Sequence, residues 1–123
     1  MKIIKKIINL HNNIVGYKTK IEIYTNLIKT SELSSTKQLE NSTNVIVNFV
    51  NYIYSEIQTI KLLLNDDDIL NIKNINTIII DIRNLHAKIQ KNILSKENVK
   101  DFNDIIGNTI ICLDVIMETK LHI

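Results

Sequence analysis

The sequence contains no proline and no tryptophan, and only two glycines, one alanine, one arginine and one cysteine. Without proline, no position forces a helix to end. With one cysteine, no intramolecular disulfide can form, which points to a reducing, cytoplasmic setting (host cytoplasm if the source is viral). So little glycine leaves no phosphate-cradling loop, and no sharp strand-to-helix turn presents a nucleophile. No apolar run approaches the ~20 residues of a membrane span, and no signal-peptide architecture opens the chain.

What is present is narrow. Of 123 residues, 27 are Ile, 17 Asn and 14 Lys. These residues have AT-rich codons, while Ala, Gly, Pro and Trp have GC-rich ones. The skew points to a low-GC microbe, phage or virus. Hydrophobics reach 45% and charged residues only 23%, which excludes a disordered or collagen-like chain. At this length one domain over residues 1–123 is expected.

Periodicity predicts the fold class. Ile3, Ile7, Leu10, Ile14, Tyr17, Ile21, Tyr24 and Ile28 alternate spacings of four and three. A strand would alternate every second residue, so this is a helical seam. Leu39, Ile46, Val50, Ile53, Ile57, Ile60 and Leu64 repeat it, with Ser42 or Thr43 as one polar gap and Ser35 or Thr36 as cap. A third face joins Ile72, Ile75, Ile79, Ile82, His86, Ile89 and Ile93, widened by Ile78 and Leu85. A fourth joins Val99, Phe102, Ile106, Ile110, Leu113 and Met117.

Helices at about 2–29, 36–65, 68–94 and 96–121 are expected, each about 40 Å long at 1.5 Å rise per residue. Their short connections predict an all-α, antiparallel up-down-up-down four-helix bundle. Ile and Asn are mediocre helix formers, but burial of a continuous apolar stripe outweighs that.

Charge supports the same topology. Residues 1–37 carry +5, 38–72 carry −4, 73–100 carry +4 and 101–123 carry −3, for a net +2. Helices adjacent around a square bundle are therefore opposite in sign, and only diagonals are alike. The basic segments are interleaved with acidic ones, which breaks up the continuous positive stripe that nucleic-acid binding needs.

Several residues invite chemistry. Arg83-Asn84-Leu85-His86 resembles the HEPN ribonucleases, helical bundles that use an Arg and a His separated by four to six residues, often with Asn after the Arg. In that family the pair organises the RNA 2′-hydroxyl and scissile phosphate at a dimer interface. The resemblance covers these four residues and the bundle class, and here only two residues separate Arg83 from His86. Taken by itself, His86 reads as a half-buried histidine on an apolar face, with Arg83 solvated beside Asp81 or Asn84.

Asp66-Asp67-Asp68 lacks the alternation and turning glycine of a calcium loop, so it reads as the cap and first-turn charge of the third helix. His11, His122 and Cys112 have no ligand partner at helical spacing, so no metal and no cofactor is expected. Cys112 reads as a buried, inert thiol. Gly16 and Gly107 fall inside helical patterns, where they mark either close helix approach or, for Gly107, a kink.

Lys2-Ile3-Ile4-Lys5-Lys6-Ile7-Ile8 resembles a membrane-surface segment, although a core helix explains the pattern equally well. Surplus apolar residues outside the seams, Ile4, Ile8, Val15, Ile23, Ile80, Ile105, Ile111 and Val115, suggest an interface with another protein. Ile at both seam positions also favours assemblies of more than two helices. The function expected is a non-enzymatic protein-binding module that self-associates as a homodimer. Phage or viral inhibitors of host defence and bacteriocin immunity proteins include small bundles of similar architecture, without a shared motif. The alternative expected is a HEPN-like ribonuclease, or an inactive relative, using Arg83 and His86.

Overall fold

A computed structural model describes residues 2–29, 36–89 and 95–121; the side chains of residues 27–29 and 36 are also outside the description. Four helices occupy those residues: α1 (Lys2–Lys29), α2 (Thr36–Leu63), α3 (Ile69–Lys88) and α4 (Lys96–Leu121). Among the described residues, α1 touches α2 and α4, α3 touches α2 and α4, and no diagonal pair is in contact.

Cross-helix pairs set the directions. Along α1 and α2, Lys6 meets Glu56, Asn13 meets Tyr52, and Tyr17 meets Phe49. One number rises as the other falls, so the helices are antiparallel. His11 with Asp114 ties α1 to α4, and Lys88 with Asp101 ties α3 to α4. The up-down-up-down bundle expected from the seams is the fold.

The seams form one core. Ile3, Ile7, Leu10, Ile14 and Ile21 are buried on α1, as are Ile46, Val50, Ile53, Ile57, Ile60 and Leu64 at the second seam. Ile75, Ile78, Ile79, Ile82 and Leu85 supply α3. Four details differ from the sequence reading.

Tyr17 is half exposed and packs edge-on against Phe49 instead of entering the core. On α4 the buried stripe runs through Val99, Phe102, Ile105, Thr109, Cys112 and Ile116, while Ile106 and Ile110 are only partly buried. Thr109 is 0% exposed, and its hydroxyl donates to the Ile105 carbonyl at 2.7 Å. That local bond lets a polar residue hold a core position. A purely apolar pattern skips it and turns the stripe sideways.

The acidic run also behaves differently. Asp68 precedes α3, but its carboxylate makes no hydrogen bond to the first helical turn. It accepts from the Lys120 ammonium at 2.7 Å and from the Asn65 amide at 3.0 Å. A charged donor in a site where both side chains are about one-tenth exposed outcompetes a capping amide. Helix α3 ends at Lys88, where the Ile89 amide bonds back to Leu85, and not at residue 94. Residues 90–94, with Ile93, and the expected cap at Ser35 or Thr36 lie outside the description.

Neither glycine marks a close approach, because a Cβ at Gly16 or Gly107 would meet nothing within 4 Å. Gly16→Ala and Gly107→Ala are each expected to raise the unfolding free energy by about 0.5–1 kcal/mol, the helix-interior cost of glycine. Urea denaturation measures this, and a loss of stability in either variant would contradict it.

Candidate functional site

Arg83 and His86 both lie in the last turns of α3, and the structure does not bring them together as a pair. The Arg83 guanidinium donates to the Tyr54 hydroxyl on α2 at 3.1 Å. His86 is exposed, not half-buried, and has no hydrogen-bond or ionic partner among the described residues. Arg83 is thus drawn towards α2 by a tyrosine and is not free beside Asp81 or Asn84. What remains is one solvated imidazole, without a second group to orient it.

Cys112 is buried, and burial pushes its thiol up to about 11. It is therefore protonated and unreactive at neutral pH. Among the described residues no cluster of three His, Cys, Asp or Glu side chains could hold a metal ion. No helix among them is long and apolar enough to cross a membrane.

The surplus apolar residues divide in three. Ile8, Val15, Ile23, Ile80 and Ile111 are exposed; Ile4 and Val115 are partly buried; Ile105 is in the core and is not surface at all. The apolar pattern misplaces Ile105 for the same reason as Thr109: it belongs to the buried stripe of α4. Leu62, Ile69, Leu70 and Leu121 are also exposed and carried no periodic signal that would have singled them out. Leu62, at 85%, is the most exposed large apolar residue among the described ones.

Two grooves matter for what this surface can do. Between α1 and α4 a cavity of about 350 Å³ is floored by Ile14, Ile21, Phe49 and Phe102 and opens beside Gly107. Between α2 and α3 a shallower one of about 510 Å³ is lined by Leu62, Ile79 and Ile80 with Lys61 and Arg83. The charged side chains lining the second are both cations. Ion pairs bridge the α1–α2 and α3–α4 seams, and the His11 ring lies 3.5 Å from the Asp114 carboxylate across α1–α4. No ion pair bridges α2 to α3 among the described residues, and no carboxylate lines their groove. Lys61 and Arg83 therefore hold two positive charges beside exposed apolar side chains. Such a surface is suited to binding an acidic, apolar partner.

Comparison with family models, curated proteins and solved structures gives no match.

Proposed function

We propose that this protein is a non-enzymatic protein-binding module of a low-GC microbe, phage or virus, working in the cytoplasm as an inhibitor, immunity or regulatory protein. The observation that carries the reading is the position of Ile80 and Ile111. They are 54% and 62% exposed on the outward sides of α3 and α4, although each helix already buries a complete stripe. Exposed aliphatic side chains, with Ile80 beside Lys61 and Arg83 in a groove that has no carboxylate, favour a partner surface over a catalytic one.

Affinity capture from the source cell, or from its host if the source is viral, tests this with the wild type beside Ile80→Glu and Ile111→Glu. A partner recovered by the wild type and lost by both variants is expected. No enriched partner together with no self-association would end the reading.

The ribonuclease alternative has its own experiment. His86→Ala is expected to leave both the fold and any effect on RNA unchanged. If purified wild type cleaves RNA and His86→Ala does not, with unchanged helicity, the enzymatic reading replaces the binding one.

A further inference from the structure

We infer that the partner of the α3 face is a second copy of the same chain, related by a two-fold axis running parallel to α3. The inference rests on the protein-binding reading above and adds its occupant and geometry. Two unlike grooves flank α3. On the α2 side lie Lys61, Leu62, Ile80 and Arg83, with no carboxylate. On the α4 side lie Asp81, Asp101 and Asp104 with Lys88, whose ammonium is bonded to Asp101, and beyond them Ile111 and Val115. One edge of the face is basic and apolar; the other is apolar and net acidic, with Asp81 and Asp104 left without a cation in their groove.

Symmetry then decides the arrangement. When two identical faces meet about an axis parallel to α3, the left edge of each lies on the right edge of the other. The basic groove of one copy therefore covers the acidic groove of its partner, twice. An axis across α3 would instead set basic on basic and acidic on acidic. Like-charge juxtaposition disfavours it.

The register agrees. An axis parallel to α3 preserves height along the bundle, so groups that pair must be level. Lys88 pairs with Asp101, and α3 and α4 are antiparallel. Arg83 is then level with about Ile106, within one turn of exposed Asp104. Ile80 is level with about Thr109, within a turn of Ile111. Lys61 lines its groove beside Asn76, which is level with about Leu113, and Glu118 lies about one and a half turns further along, within reach of a long lysine side chain. Apolar side chains meet at the centre and opposite charges meet on both sides.

The area sets the strength. A face about 30 Å long and about 20 Å wide buries about 600 Å² per copy, or about 1,200 Å² in total, the lower edge for specific interfaces. A reversible dimer with a dissociation constant on the order of 10 μM is expected.

Sedimentation equilibrium of the full chain tests this, with circular dichroism confirming the fold of each variant. The wild type should show a concentration-dependent dimer. Ile80→Glu, Arg83→Glu and Asp104→Arg should each weaken it about tenfold or more. Arg83→Glu combined with Asp104→Arg in one chain restores both symmetric pairs, and should return to within about threefold of wild type. A wild type that stays monomeric to several hundred micromolar (on the scale of), or a double variant as weak as the singles, overturns the inference. If the wild type is monomeric but captures a protein that Ile80→Glu does not, the self-partner is wrong and the binding function stands. If it does neither, both fail.

Discussion

Phe102→Ala is expected to lower the unfolding free energy by about 3–5 kcal/mol, the range for deleting a buried aromatic ring. Phe102 is 1% exposed, and its ring meets Phe49 edge-on with centroids 6.4 Å apart. Phe49 in turn meets Tyr17 at 6.0 Å, so three rings run from the surface into the core. Removing the innermost ring leaves a void beside an existing groove, whose floor includes both phenylalanines. Neighbouring isoleucines are β-branched and stiff, which limits how far they can close it. For a domain stabilised by about 5–15 kcal/mol, this is a large fraction. Urea denaturation followed by circular dichroism reads the change. A loss below about 1 kcal/mol would mean that the ring is not packed as described.

Lys120→Met is expected to cost about 2–3 kcal/mol at neutral pH, because it leaves the Asp68 carboxylate largely buried without its cation. The pair matters for position as well as energy. It joins the α2–α3 connection to the last turn of α4, across 52 residues of sequence. The Lys120 hydrogen bond holds the Asp68 carboxyl below its ordinary 3.8, opposed by burial and helped by the Asn65 amide. A carboxyl depressed in the folded state adds stability above its unfolded value near 4, which is lost as pH falls through the lower folded value. The wild type should therefore weaken below about pH 4 partly through this group. Lys120→Met should show a shallower loss there. Stability measured from pH 7 to pH 2 checks both, and parallel curves would remove Asp68 from the account. Asp68→Asn combined with Lys120→Met should recover part of the single-variant loss, since no charge is stranded.

The fold was legible because three of the four stripes are almost pure isoleucine and leucine at seven-residue repeats. Such a pattern needs no tertiary information. It failed where a polar side chain satisfies itself locally. Thr109 bonds its own helix, so a core position looked like surface, and Ile105 beside it looked like surplus. Asp68 failed for the opposite reason. Its partner Lys120 is distant in the chain, and no local spacing reveals which carboxylate of three it chooses.

The candidate site was less legible. Ile80 and Ile111 stand out as excess, but what gives Ile80 its setting is a groove between α2 and α3 that no ion pair crosses among the described residues. Segment charges of opposite sign allow all four seams to be bridged, and only side-chain placement shows that no ion pair among the described residues crosses α2–α3. From the sequence Arg83 reads as solvated because its tyrosine partner lies 29 residues earlier on another helix.

The buried thiol of Cys112 also makes the molecule its own clock. As the sole cysteine, 5% exposed along the α3–α4 groove and held protonated, it reacts with an alkylating reagent chiefly when α4 shifts away from α3. Its labelling rate, set against that of the unfolded chain, counts how often the protein opens under native conditions. No probe has to be engineered into the sequence to observe it.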